Sequence, residues 1–207
     1  MIAIIDYGAG NLQSVENALR FIGGEVQIAA DQEALLRADY AILPGVGAFG
    51  DSMHALKQSG MIHPILNYIG SGKPFLGICL GMQILFERSE ESPETEGLGI
   101  LKGSFKKIPS QPGLKIPHMG WNSLQLLQTD GIFQGLSGEP YTYFVHSYYL
   151  DAADKSVVSA QTQYGVSIDA AVRWKNIHAT QFHPEKSGEV GLQILRNFLS
   201  LSKIEVN

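Results

Sequence analysis

Cys79 is the single cysteine of the chain, and it stands between two glycines in Gly77-Ile78-Cys79-Leu80-Gly81. Apolar residues from Pro74 to Ile78 lead into it, and a helical stretch, Leu80–Glu87, follows. The thiol therefore falls on a strand-to-helix junction, in the form of a nucleophile elbow with cysteine in place of serine. A tight turn holds such a nucleophile in a strained backbone conformation, and flanking glycines remove side chains that would collide there. At a helix N-terminus the thiol meets free backbone N–H groups that favour thiolate and stabilise an oxyanion. A buried cysteine packed between two glycines is the competing reading of the same five residues.

A thiolate needs a base. Phe182-His183-Pro184-Glu185 closes an extended stretch. Residues two apart in extended chain point to one side, so Glu185 reaches His183 and fixes its tautomer. Pro184 stiffens that spacing and withdraws one donor from strand pairing. Nucleophile, base and orienter then follow in the order Cys79, His183, Glu185; a satisfied structural histidine is the alternative for His183 taken alone. A second oxyanion donor fits Pro44-Gly45-Val46-Gly47, which follows the third strand where α/β sheets place ligands. The N–H of Val46 or Gly47 would join that of Leu80 around one oxygen. Gly45 and Gly47 also flank Val46 with residues that tolerate positive φ.

Other candidates carry less. Gly8-Ala9-Gly10 lacks the third glycine of a dinucleotide loop, because Gln13 stands there. No His, Asp or Glu group has metal-ligand spacing, so neither metal nor cofactor is expected. His118-Met119-Gly120-Trp121-Asn122 reads either as core plus a turn or as a surface where Trp121 anchors a partner.

The elements that must hold these residues alternate in the first half. Strands are expected at Ile2–Ile5, Val26–Ala29, Tyr40–Leu43 and Pro74–Ile78, separated by helices that start after Asn11 and from Asp31 and by two more after Gly50. Buried strands in β-then-α units imply a parallel sheet covered on both faces. Later, Glu87 to Gly113 reads as loop with a strand or two. Tyr141–Ser147, Ser156–Gln163, Ala170–Trp174 and Ile177–Phe182 alternate as strands, with a hairpin turn at Lys175-Asn176. Ile194, Leu195, Phe198 and Leu199 form one face of a closing helix. The expected fold is a single α/β domain over residues 1–207, a three-layer sandwich whose central sheet is mostly parallel and gains antiparallel strands late.

Composition narrows the setting. Fifteen basic against twenty acidic side chains leave a net charge of −5 with no Lys/Arg cluster, which argues against a nucleic-acid partner. Charged residues make up 17%, below the usual share of about 25%, so part of the surface is expected to be covered by a partner. The longest apolar run, Pro74–Phe86, has 13 residues, short of the ~18 that a membrane span needs. With one cysteine and no disulfide, a cytoplasmic, reducing location is expected.

Three blocks, Pro44-Gly45-Val46-Gly47, Gly77-Ile78-Cys79-Leu80-Gly81-Met82-Gln83 and Gln181-Phe182-His183-Pro184-Glu185, together resemble those of the class I (triad) glutamine amidotransferases. Three more, Ile5-Asp6-Tyr7-Gly8-Ala9-Gly10-Asn11, Pro117-His118-Met119-Gly120-Trp121-Asn122 and Tyr143-Phe144-Val145-His146-Ser147-Tyr148, are similar to the glutaminase subunits of imidazole glycerol phosphate synthases. Anthranilate and aminodeoxychorismate synthase subunits, the alternative within the class, share the triad blocks and lack the other three. The resemblance implies hydrolysis of glutamine to glutamate and ammonia through a glutamyl thioester on Cys79. It implies a separate (β/α)8-barrel cyclase subunit that takes the ammonia through a channel to make imidazole glycerol phosphate and aminoimidazole carboxamide ribotide. It implies that Gly47, Gln83, Ser147 and Tyr148 hold glutamine, and that Asn11, Trp121, Tyr143 and Lys186 face the cyclase.

Overall fold

Four uninterrupted apolar residues form strand β1, Ile2–Ile5, and its side chains divide between two cores: Ala3 and Ile5 join one, Ile2 and Ile4 the other. A strand buried on both faces requires that division. The structure, a computed structural model, describes residues 1–203. Helix α1, Leu12–Phe21, starts where Asn11 accepts from the Ser14 N–H and ends where Gly23 takes a φ of +85°, as a helix C-terminus favours. Strand β2, Val26–Ala29, leads to α2, Gln32–Arg37, whose cap is Asp31. Strand β3, Tyr40–Gly45, is followed by α3, Phe49–Gln58, and α4, Ile62–Gly70. Strand β4, Phe75–Cys79, runs straight into α5, Leu80–Gln83.

The later chain is mostly strand. It comprises β5 (Arg88–Ser89), β6 (Gly103–Lys107), β7 (His118–Ser123), β8 (Gln125–Leu126), β9 (Tyr141–His146) and β10 (Tyr148–Ala152). Then follow β11 (Val158–Tyr164), β12 (Val166–Trp174), β13 (Ile177–Thr180) and the closing helix α6, Gly188–Phe198.

Eight strands build the main sheet in the order β2-β1-β3-β4-β13-β12-β11-β8. The first five are mutually parallel and the last three antiparallel. Helices α2, α3 and α4 contribute Leu35, Met53, Leu56 and Ile65 to the core on one face; α1 and α6 contribute Val15, Leu19, Ile194 and Phe198 on the other. The three layers and late antiparallel strands are those expected. A three-stranded sheet, β10-β6-β5, and a two-stranded ribbon, β7-β9, stand beside it.

Two expectations need correction. The helix predicted over Leu80–Glu87 is a single turn. Beyond it the carbonyls of Ile84, Leu85 and Phe86 are taken by the N–H groups of Leu98, Ile100 and Gly99, so the ladder cannot continue. The stretch from His118, for which core plus a turn and a partner-anchoring surface both stood open, is a strand: β7 pairs antiparallel with β9 from His118↔His146 to Ser123↔Tyr141. Strand β12 also begins at Val166, four residues before its expected start at Ala170.

Candidate active site

Cys79 ends β4 with φ 54° and ψ −108°, one of two non-glycine residues at positive φ among those described. The elbow strain read from the sequence is present. The glycines beside it answer to contacts: a Cβ on Gly81 would lie 1.8 Å from the Leu43 carbonyl oxygen, and one on Gly77 2.8 Å from that of Gly81. Gly81→Ala is expected to destabilise the fold by at least the 1–3 kcal/mol typical of overpacking, read as a lower urea midpoint; an unchanged midpoint would refute the packing account.

The β3–β4 register pairs Gly45 with Cys79, so Val46 and Leu80 leave the sheet side by side. Both residues border the same cavity. Gly45, read as a residue that tolerates positive φ, does not adopt it in the structure. Gly45 is required by close approach, since its Cβ would fall 2.8 Å from the Gly81 nitrogen and 2.9 Å from the Tyr7 hydroxyl. Gly47 alone of the two has positive φ, +99°, with open space around it.

Strand β13 lies parallel to β4, and the chain leaving it carries His183 beside the elbow. The His183 Nδ1 is 2.7 Å from Glu185 Oε1, and both side chains are buried. Its Nε2 is buried without a hydrogen-bond partner. Burial alone would push the imidazole pKa down; Cys79 and the Glu185 carboxylate outweigh it and raise the pKa to about 9. With that pKa His183 is protonated near neutral pH, its charge balanced by the Glu185 carboxylate.

The cavity above the sulfur has a volume of about 300 Å³ and is bordered by Val46, Gly47, Gln83, Ser147 and Tyr148, all expected from the sequence. Glu91 and His146 line it as well and were not. Glu91 arrives from the loop after β5, where one carboxylate oxygen accepts from the Phe49 N–H at 2.7 Å; no local pattern marks such a residue.

His146 belongs to a buried relay. Its Nδ1 meets the Tyr148 carbonyl at 2.8 Å and therefore donates; its Nε2 then accepts from His118 Nδ1 at 2.9 Å. His118 Nε2 in turn accepts from Asn122 at 3.3 Å. Burial lowers His118 and His178 to about 4 and His146 to about 3. All three are neutral in the fold but protonate near pH 6.5 when unfolded. Their stabilising effect is complete above about pH 6.5 and is lost as pH falls toward 4, by on the order of 1 kcal/mol per group per pH unit. Urea midpoints are expected to drop between about pH 6.5 and 5, before carboxylates titrate; a flat profile there would count against this account.

None of the four expected partner residues lines the cavity itself. Met119 and Trp121 on β7 and Tyr141 on β9 are exposed, and Trp121 packs edge-on against Tyr143 at 6.2 Å between ring centroids. Trp121 and Met119 pair across the ribbon with Tyr143 and Val145, so its outer face is apolar, and Val145 also borders the cavity. Asn11 lines an adjoining cleft with Val46, His183 and Glu185, and Lys186 ends the single 3-10 turn that holds Glu185.

Residues 3–201 match the family described as glutamine amidotransferase class-I. The chain is 52% identical over 201 residues to the imidazole glycerol phosphate synthase subunit HisH of Methanothermobacter thermautotrophicus, covering 97% of this chain and 98% of that one. It is 49% identical to the protein of the same description from Caldanaerobacter subterraneus, over 98% and 99% of the two chains. Among solved structures, one described as PurLQS from Thermotoga maritima superposes with a TM-score of 0.76 at 21% identity, over 96% of this chain and 97% of the other. At that identity the likeness concerns the fold alone.

Proposed function

Because the chain belongs to the class-I glutamine amidotransferase family, we infer that its cavity takes glutamine and that Cys79, His183 and Glu185 hydrolyse the side-chain amide. The chain is the glutaminase subunit of an imidazole glycerol phosphate synthase, as the relatives sharing half its residues over nearly its whole length support. The carrying observation for the site is the convergence of an elbow cysteine with a buried His–Glu pair at the base of one cavity.

In this reading the Cys79 thiolate attacks the amide carbon, and the Val46 and Leu80 N–H groups receive the developing oxyanion. His183, protonated at Nε2, gives its proton to the departing nitrogen, and ammonia leaves. Water then attacks the γ-glutamyl thioester while His183 takes up its proton, which releases glutamate and restores the thiolate. Glu185 orients His183 and offsets its charge. Gln83 Oε1, buried and without a partner, and the Glu91 carboxylate supply acceptors for a substrate ammonium, and Gly47, Ser147 and Tyr148 wall the remainder. Acid quenching of the assembled synthase during turnover is expected to trap a glutamyl adduct on Cys79, detectable by mass; glutamine turnover without that adduct would reject the covalent route.

The partner in this reading is a (β/α)8-barrel cyclase seated on the outer face of the β7-β9 ribbon, over the cavity mouth, with Asn11, Trp121, Tyr143 and Lys186 in contact. The support is an exposed apolar face continuous with the cavity. Trp121→Ala and Lys186→Glu are expected to weaken association more than they alter the isolated fold. An aromatic anchor is worth about 2 kcal/mol, roughly thirtyfold in Kd. Unchanged titration with purified cyclase would place the interface elsewhere. Among the described residues no helix is long and apolar enough to cross a membrane, and a single free cysteine suits the cytoplasm.

A further inference from the structure

Gln181 belongs to the block that carries His183 and Glu185, yet the triad makes no use of it, and it is fully buried. An amide enters a core only where its donors and acceptors are engaged, because an apolar side chain would otherwise fill the space at lower cost. Its Nε2 donates to the Cys79 sulfur at 3.7 Å, and its Oε1 accepts from Gln83 Nε2 at 3.4 Å. A thiolate only accepts, so the Gln181 NH2 must face it. The Gln181 carbonyl is then turned to Gln83, which answers with its own NH2. The Gln83 carbonyl is left as the free end of this chain, buried and unpartnered on the cavity wall. One charge, at sulfur, thus orients two amides in series.

The sulfur has need of such a donor. The helix behind it is a single turn, too short to supply much of a macrodipole. The Val145 carbonyl, 4.0 Å from the sulfur, is an acceptor and opposes an anion. The titratable groups coupled to it are His183 and Tyr7, which approach from β13 and β1.

We propose that Gln181 is a positioning residue that holds the Cys79 thiolate with its NH2 and, through its carbonyl, keeps the Gln83 acceptor turned toward the substrate. The proposal rests on the reading of Cys79 as nucleophile and Gln83 as a glutamine-binding residue. It makes reactivity of the sulfur and affinity for glutamine two separable consequences of one amide.

Because the chain has one cysteine, alkylation of this subunit by iodoacetamide reports on Cys79 alone. Gln181→Glu removes the donor to sulfur and keeps an acceptor for Gln83. Near pH 7 its alkylation is expected to be about tenfold slower than wild type, the scale of one hydrogen bond to a charged group. Its KM for glutamine in the synthase assembled with the cyclase is expected to stay within about twofold of wild type, with the loss falling on kcat. Gln181→Met removes both contacts, and about a tenfold rise in KM joins the slower alkylation. A Gln181→Glu protein with wild-type unfolding midpoint and wild-type alkylation rate near pH 7 overturns the proposal. If that variant does not fold, the same comparison is made on Gln181→Met, and a wild-type rate there overturns it equally. Glutamine hydrolysis that survives complete alkylation of the wild-type protein would instead reject Cys79 as nucleophile, a distinguishable result.

Discussion

Cys79→Ala is expected to abolish glutamine-dependent synthesis while synthesis from added ammonium salts continues nearly unchanged. The sulfur is the attacking atom in the proposed mechanism; among the described residues that border the cavity, the hydroxyl groups of Ser147 and Tyr148 do not stand on the elbow. Removal of one member of a concerted triad costs on the order of 10⁴-fold or more, since the remaining members have nothing to act on. Alanine deletes only the sulfur, so the β4 backbone and its pairing to β3 and β13 persist. In the proposed reading ring closure belongs to the partner, which free ammonia reaches without this site. Parallel rates with glutamine and with ammonium separate the two functions, and equal loss of both would sink the division of labour.

His183→Ala is expected to cost several orders of magnitude in kcat/KM, and Glu185→Gln clearly less. In the proposed mechanism His183 moves protons in both half-reactions, whereas Glu185 orients and offsets charge without transferring a proton. A glutamine at 185 still presents an oxygen to the Nδ1 now held at 2.7 Å. What it loses is the negative charge that helps raise His183 to about 9. The basic limb of the kcat/KM profile is therefore expected to move to lower pH in Glu185→Gln. Equal losses in the two variants, or an unmoved basic limb, would require the roles to be reassigned.

The readable parts of this protein are those set by neighbours along the chain. Gly77, Cys79 and Gly81 lie within five residues, and His183 reaches Glu185 across one proline, so both halves of the triad were legible locally. The alternation of Ile2–Ile5 and of Tyr40–Leu43 carried the parallel sheet for the same reason. What was not legible depends on distant partners. The early end of α5 is decided by N–H groups of Leu98, Ile100 and Gly99 that take the carbonyls of Ile84, Leu85 and Phe86 just beyond it. Strand β7 has a glycine at Gly120 and polar residues on one face, and only its register against β9 explains His118 and Asn122 as members of a buried relay. Gly45 was read for its tolerance of positive φ, whereas its need is close contact, which depends on how closely Gly81 and Tyr7 approach. Gln181 stood in plain view within a motif, but its direction is visible only with Cys79 and Gln83 around it.

The position of β13 between β4 and β12 also governs the order in which this chain can finish itself during synthesis. Strand β4 is made about a hundred residues before Ile177–Thr180, the strand that must lie along its free side. At ribosomal speeds of about 5–20 residues per second, that interval lasts on the order of 5–20 s. Through it β4 offers nascent chain an unpaired row of backbone donors and acceptors flanked by Phe75, Leu76 and Ile78, the kind of edge on which intermolecular pairing starts. Long-range parallel closure of this sort is slow in any case. Arrival of β13 ends the exposure, and the same few residues deliver Gln181 and His183 to the sulfur. A chain truncated before Ile177 is thus left with both an open edge and a bare thiol, and chaperone demand and lack of catalytic competence end in one step.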